Sequence, residues 1–171
     1  MNKNNIKAYV VCGYLSKKIK KITSKIFVNK NFSTTNMVYT LFKARSQFDD
    51  DIIISYGDII YSDNVLRKLM KSEGQLSVVV DKDWHALWSL RMENPEDDVE
   101  SMKIEDNLII ELGKKVSSLQ EVEGQYIGLI KIKKDFLPTL KSFYKSLDRN
   151  TLYDGNDFDN MYLTSFIQLI I

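Results

Sequence analysis

Short apolar runs alternate along the chain with segments in which apolar residues recur every three or four positions. The apolar runs predict strands over Ala8–Cys12, Lys25–Val28, Asp51–Tyr56, Leu76–Val80, Ser101–Ile104, Leu108–Leu112 and Gln125–Ile132. The helical spacing predicts helices over Lys17–Ile22, Met37–Ala44, Asp63–Met70, Phe136–Leu147 and Phe158–Ile171. Asp106 and Asn107, between two predicted strands, are typical of a hairpin turn.

Strands alternate with helices in the first half, and a more antiparallel section follows. This order predicts an α/β fold with a mainly parallel sheet, as a single domain over residues 1–171. Right-handed crossovers place the loops that follow parallel strands along one edge of the sheet. Ligands of open α/β sheets bind in the crevice at that edge. Polar residues directly after strands are therefore the first candidates for chemistry.

The amino-acid composition excludes several classes of protein. Lys and Arg number 24 against 23 Asp and Glu, a formal charge of +1, so the basic excess of a general nucleic-acid or membrane-surface binder is missing. The single cysteine, Cys12, excludes an internal disulfide and fits a reducing cytoplasm. One histidine, His85, excludes a histidine-rich zinc site. No apolar run reaches the roughly 18 residues of a membrane span. We expect a cytoplasmic protein.

Asp58 stands just after the strand predicted over Asp51–Tyr56, where Gly57 lets the backbone turn tightly. A carboxylate in this place projects toward the crevice in which open α/β sheets bind ligands. Its oxygens suit Mg²⁺, which usually shares its coordination sphere with substrate phosphates. The alternative is that Asp58 only satisfies backbone amides of its own turn.

A second acidic pattern, Asp81 and Asp83 around Lys82, follows the strand Leu76–Val80. It matches the Asp-x-Asp pattern with which many nucleotide-sugar glycosyltransferases hold a metal. A glycosyltransferase that uses Asp81 and Asp83 is therefore one hypothesis. The alternative is a solvated turn or a helix cap.

Two tryptophans, Trp84 and Trp88, are four residues apart, so they share a face if this segment is helical. They either stack on a base or cover a cationic head group, or they belong to the hydrophobic core. Lys114 and Lys115 follow a strand-like run, and each either neutralises a phosphate or is simply solvated.

Gly124 and Gly128 flank Tyr126 within a predicted strand. Glycines in a strand indicate a β-bulge, a ligand close to the backbone, or tight packing against a neighbour. The chain contains neither G-x-x-x-x-G-K nor G-x-G-x-x-G, the motifs of Gly-rich phosphate loops. A nucleophilic triad finds no support either, because the one histidine has no recognisable partner.

Several segments, taken in order, resemble a known family. They are Ile6–Leu15, Val28–Leu41, Ile52–Tyr61, Val79–Glu100, Ile110–Lys115, Gly124–Leu129 and Phe158–Ile171. Together they look like the sugar-phosphate nucleotidyltransferases, and among these the phosphocholine cytidylyltransferase-like group. The resemblance implies a Rossmann-like, glycosyltransferase A-type fold, with a mixed, mostly parallel sheet and helices on both faces. It implies Mg²⁺-dependent transfer of a nucleotidyl group, CMP first, from a nucleoside triphosphate such as CTP. The acceptor would be a phosphorylated small molecule such as phosphocholine, a sugar 1-phosphate or a phosphonate, and pyrophosphate would be released.

The same resemblance assigns roles to individual residues by motif. It implies that Asp58 is the Mg²⁺ ligand and that Lys115 contacts the phosphate of the acceptor. We place the two tryptophans as walls for a choline-like head group, which is our own addition to the motif. The full set of expected substrate-binding residues is Asn36, Tyr56, Gly57, Trp84, Trp88, Tyr126 and Gly128.

Two elements of that family find no counterpart in the sequence. The family opens with a strand and a Gly-rich loop ending in Arg, followed by Pro-Lys, and these hold the triphosphate. It also continues past its late helix to a Trp-x-Glu-x-Asp segment, whose Asp is the second Mg²⁺ ligand. We therefore expect a partial domain whose unpaired strand edges favour homo-oligomers. A non-catalytic homologue that acts as a binding module is the alternative.

Overall fold

The computed structural model describes residues 6–171. Contacts within the chain divide it into two compact units. The first unit comprises Met1–Gln47 and Asp148–Leu163, and the second comprises Phe48–Leu147 and Thr164–Ile171. The single domain expected over residues 1–171 stays a prediction. No helix within residues 6–171 is long and apolar enough to span a bilayer.

In the first unit, two short strands pair in parallel. Strand β1 (Val10–Cys12) is followed by helix α1 (Ser16–Ile19) and then by strand β2 (Ile26–Val28). The register pairs Val10 with Ile26 and Cys12 with Val28. Helix α2 (Met37–Phe42) follows and buries Val38 and Phe42. The strand and helix order predicted for this part of the chain is confirmed.

The loop between β2 and α2 is organised by Asn29, whose side chain is fully buried (0% exposed). Its Nδ2 donates to Thr35 Oγ1 at 2.9 Å and to Thr40 Oγ1 at 3.0 Å. Its Oδ1 accepts from the backbone N–H of Asn31 at 3.0 Å. Breaking any of these hydrogen bonds would leave a buried polar atom without a partner, which costs free energy. The Asn29 amide therefore holds the surrounding backbone in place and fixes the conformation of the loop that leads to α2.

The second unit contains a three-stranded sheet made of β3 (Ile52–Ser55), β4 (Leu76–Asp81) and β7 (Gln125–Ile132). The order is β3-β7-β4, and β7 is antiparallel to both of its neighbours. Strands β3 and β4 consequently run in the same direction without pairing with each other. The mixed α/β class is confirmed, but the expectation of mainly parallel pairing needs correction. Among the strand pairings within residues 6–171, only β1 with β2 is parallel, because β7 inserts between β3 and β4.

Strands β5 (Glu100–Glu105) and β6 (Leu108–Lys115) form an antiparallel hairpin. Asp106 and Asn107 connect them with φ angles of 50° and 62°. Positive φ at both central residues is the signature of the two-residue turn that matches strand twist. The predicted hairpin turn is confirmed.

Helices of the second unit begin and end with local signals. Helix α3 (Asp63–Met70) is capped by Ser62, whose side chain accepts from Val65 N–H. The second unit also contains helices α4 (Trp84–Ser89) and, after strand β7, α5 (Leu137–Ser146). Buried Lys131 of β7 donates from Nζ to the carbonyls of Met70 and Ser72, which satisfies acceptors at the end of α3.

The late helix differs from the prediction over Phe158–Ile171. A 3₁₀ turn covers Phe158–Asn160, and helix α6 covers Leu163–Gln168. Met161 separates them, with an extended backbone at φ −58° and ψ 132°. Apolar spacing alone could not reveal this break, because Phe158, Met161 and Leu163 are all buried.

Candidate active site

Asp58 lies in the turn just after β3, and its side chain is exposed. None of the hydrogen bonds or ion pairs among residues 6–171 involves its carboxylate. Asp81, after β4, behaves differently: its Oδ1 accepts from the backbone N–H of Asp83 at 2.9 Å. The local-turn interpretation therefore describes Asp81, whereas Asp58 keeps its oxygens available.

The backbone turns at residues 57 and 58, as predicted. The φ of Gly57 lies outside the left-handed region, so the backbone there does not require glycine. A Cβ placed on Gly57 would meet no atom within 4 Å. The glycine instead leaves open space next to Asp58.

Tyr56 and Tyr126 form an edge-to-face pair, with ring centroids 5.8 Å apart. The backbone N–H of Tyr56 donates to the carbonyl of Gly128 at 2.9 Å. Gly128 has a φ of +80° and lies where the β4–β7 register shifts between Val78 and Val80. The glycine thus marks a bulge that carries the β7 backbone past Tyr56, which is one of the interpretations that the sequence left open.

The environment of the tyrosine pair keeps both phenols neutral. Burial raises the pKa of Tyr56, and the negative charges of Glu100 and Asp58 add to this. Burial also raises the pKa of Tyr126, with smaller contributions from Tyr56 and Glu100. The hydroxyl of Tyr126 is buried and has no hydrogen-bond partner among residues 6–171. The pair is thus a neutral, partly dry surface beside Asp58.

Replacing Tyr126 by phenylalanine is expected to raise the free energy of unfolding at pH 7 by about 1 kcal/mol, because a buried unsatisfied hydroxyl is removed. The wild type should also lose stability as the pH rises above 10, the ordinary tyrosine pKa, toward the raised pKa of the folded state. There the unfolded chain releases the Tyr126 proton and the folded chain retains it. Urea denaturation at pH 7 and above pH 10 measures both effects. If the Tyr126→Phe variant is less stable than the wild type at pH 7, the Tyr126 hydroxyl does form a stabilising hydrogen bond.

Glu100, which the sequence did not single out, lies close enough to the tyrosine pair to raise the pKa of both phenols. It is the first residue of β5 and half-buried. Its Oε1 accepts from Thr164 Oγ1 at 3.4 Å, and its carbonyl accepts from Gln125 Nε2 at 2.9 Å. Its register partner is Lys115 of β6. The hairpin pattern pairs these two residues, but no sequence signal placed them near the tyrosine pair.

The two lysines at the end of β6 are not equivalent. Lys114 Nζ lies 2.8 Å from Glu111 Oε2, and Lys114 N–H donates to Ser101 Oγ. Lys115 is exposed and takes part in none of the ion pairs among residues 6–171. Of the two, Lys115 is therefore the one available to an anionic ligand, and its contact with an acceptor phosphate stays a prediction.

Trp84 and Trp88 lie on α4 and contact each other edge to face, with ring centroids 5.6 Å apart. Trp84 is 5% exposed and packs in a hydrophobic cluster with Val99 and Val122, against which Trp88 also packs. The core interpretation thus describes Trp84. A role of the pair as walls for a head group stays a prediction.

Asn36, in the first unit, is the N-cap of α2. Its Oδ1 accepts from Met37 N–H at 2.9 Å, and its own N–H donates to the carbonyl of Asp159. This gives Asn36 a definite structural role, and contact with a nucleotide stays a prediction. No cluster of three or more metal-ligating side chains occurs within residues 6–171.

Two known proteins resemble this chain, one in sequence and one in fold. A CTP:phosphoglutamine cytidylyltransferase from Campylobacter jejuni is 43% identical over 173 residues, which cover 95% of this chain and 68% of that protein. A solved structure, the inositol-1-phosphate CTP transferase from T. maritima, matches with a TM-score of 0.63 at 16% identity. That match covers 98% of this chain and 63% of the other. No protein-family model matches.

Proposed function

Because this chain belongs to the nucleotidyltransferase family and has its mixed α/β, Rossmann-like fold, we propose that it transfers CMP from CTP to a phosphorylated small molecule. The observation that carries this proposal is the uncommitted carboxylate of Asp58 at the end of β3, beside the tyrosine pair. The relative from C. jejuni is named for CTP and phosphoglutamine, and the T. maritima protein for CTP and inositol 1-phosphate. Both names support a phosphorylated acceptor.

The reaction is an in-line displacement at phosphorus. A phosphate oxygen of the acceptor forms a bond to the α-phosphorus of CTP while the bond to the β-phosphate oxygen breaks, and the electron pair leaves with pyrophosphate. The product carries CMP joined to the acceptor through a diphosphate. Such reactions need positioning and charge stabilisation more than covalent help from the protein.

Asp58 fits the requirements of a Mg²⁺ ligand, because its carboxylate is exposed and forms no hydrogen bond or ion pair with any other residue that the structure describes. Mg²⁺ needs only one or two protein carboxylates when phosphates supply the remaining oxygens. A bound Mg²⁺ would offset negative charge on the phosphates. Lys115, whose ammonium forms no ion pair with the described part of the chain, would orient the acceptor phosphate.

The distribution of charge supports an anionic substrate, although the net charge of +1 conceals it. Residues 1–48 contain ten Lys and Arg and no Asp or Glu. A positive region of this kind raises the local concentration of a polyanion such as CTP.

The test is an assay of the 171-residue chain with CTP and MgCl₂, with phosphocholine, glucose 1-phosphate or phosphoglutamine as acceptor, followed by ³¹P NMR. We expect pyrophosphate and a diphosphate-linked CMP product to appear together, and only when an acceptor is present. UTP in place of CTP is the control for the base. Turnover of UDP-glucose with Mn²⁺ would favour the glycosyltransferase instead, and absence of any turnover would favour the non-catalytic binding module.

A further inference from the structure

A basic surface lies around helix α1 in the first unit, and we call the exposed side chains of residues 14–25 the α1 surface. Half of the ten basic residues of segment 1–48 fall on it, and all five are exposed: Lys17, Lys18, Lys20, Lys21 and Lys25. The ion pairs formed among residues 6–171 include none of these lysines. Five ammonium groups without an anionic side chain in the same segment favour a negatively charged partner.

The α1 surface also exposes large apolar side chains. Tyr14 is 73% exposed, Leu15 is 48% exposed and Ile22 is 82% exposed. The helical turn continues past α1, because Ile22 N–H donates to the carbonyl of Ile19 at 2.9 Å. Ile19 and Ile22 therefore lie on one side of the turn, and Leu15 precedes them by one further turn. Apolar side chains that are exposed together indicate an interaction site, unlike scattered single ones.

Charge and apolar exposure together select the kind of partner. A soluble polyanion would pair with the lysines, but it offers no apolar environment to Leu15 and Ile22. An anionic bilayer offers both, because lysine stems lie along the apolar boundary while their ammonium groups reach the head groups. A partner protein would need an interface of about 1,600 Å², far more than these few side chains supply. The lipid surface therefore fits the α1 surface best.

We propose that the α1 surface attaches this protein to an anionic lipid bilayer, with Leu15 and Ile22 at the head-group boundary and the lysines paired with lipid phosphates. Tyr14, which combines an apolar ring with a polar hydroxyl, suits the same boundary. The net charge of +1 does not oppose this attachment, because the first acidic residue along the chain is Asp49. A short apolar stripe with basic neighbours gives reversible attachment to the surface. This inference does not depend on CMP transfer.

The test sediments the 171-residue chain with vesicles of phosphatidylcholine alone, or of phosphatidylcholine and phosphatidylglycerol in equal parts, and measures the bound fraction. We expect binding to the anionic vesicles only, and weaker binding as salt is added, because salt screens exposed charges. Lys17→Gln with Lys21→Gln should weaken this binding about tenfold or more. Leu15→Asn with Ile22→Asn should also weaken it about tenfold. Both apolar side chains are exposed, and the φ of 51° at Leu15 suits asparagine, so the fold should persist.

Matched controls make the same kinds of substitution in the second unit. Lys68→Gln with Lys71→Gln removes two exposed lysines near the end of α3, and Leu90→Asn removes a leucine that is 84% exposed. Both controls should bind anionic vesicles like the wild type, and circular dichroism shows whether each variant folds. Absence of binding to anionic vesicles, equal binding to neutral ones, or equal weakening by the controls overturns the proposal. If only the lysine variants lose binding and Leu15→Asn with Ile22→Asn keeps it, charge alone attracts polyanions and the proposed attachment to a bilayer is wrong.

Discussion

Replacing Asp58 by asparagine is expected to lower kcat for CMP transfer at least ~100-fold, the scale on which a key electrostatic group acts. The substitution keeps the shape of the side chain and removes its charge. Since the carboxylate is exposed and forms no bond within residues 6–171, the fold should not change. The rate of pyrophosphate release from CTP at saturating Mg²⁺ measures the effect, and thermal unfolding checks the fold.

Asp81→Asn is the control for this prediction, because Asp81 also follows a strand and carries the same charge. Its Oδ1 accepts from Asp83 N–H, and an asparagine oxygen can do the same. We expect kcat to stay at the wild-type value. If Asp81→Asn lowers kcat as much as Asp58→Asn, the metal ligand has been placed after the wrong strand.

The order of elements could be predicted from the sequence, because strands and helices differ in apolar period. The run Ile52–Ile54 and the spacing within Asp63–Met70 gave the correct elements at the correct places. The pairing could not be predicted in the same way. The alternation in β7 shows that it is a strand, but nothing in its residues says that it inserts between β3 and β4. Pairing depends on long-range contacts that a local pattern does not contain.

The candidate site residues show the same difference between local signals and long-range contacts. Asp58 could be singled out from the sequence because a strand end and a carboxylate are both local signals. Glu100 could not, because its neighbours at the tyrosine pair and Thr164 are distant in sequence. Sequence reasoning is therefore strongest where one strand end defines the site, and weakest where several loops converge.

The second large effect concerns Gly128, whose substitution by alanine should destabilise the protein by about 3 kcal/mol. The φ of +80° disfavours any residue with a Cβ by roughly 1–2 kcal/mol. A Cβ would also lie within 3.0 Å of Tyr56, whose ring carbons Cδ2 and Cγ would be 2.4 and 2.5 Å away. Relief of such overlap in a packed site costs about 1–3 kcal/mol more. Urea denaturation of both proteins measures the difference.

Gly155→Ala separates the two causes, because Gly155 has nearly the same φ, +82°, but a Cβ added there would meet no atom within 4 Å. Its free energy of unfolding should fall only by the cost of placing a Cβ at positive φ, roughly 1–2 kcal/mol. In a Tyr56→Ala background, where the ring is gone, the cost of Gly128→Ala should fall to the same value, since contacting residues are not additive. Equal losses for Gly128→Ala and Gly155→Ala in the wild-type background would mean that the ring moves away freely. The bulge would then not fix Tyr56, and the rigid tyrosine surface beside Asp58 would lose its structural basis.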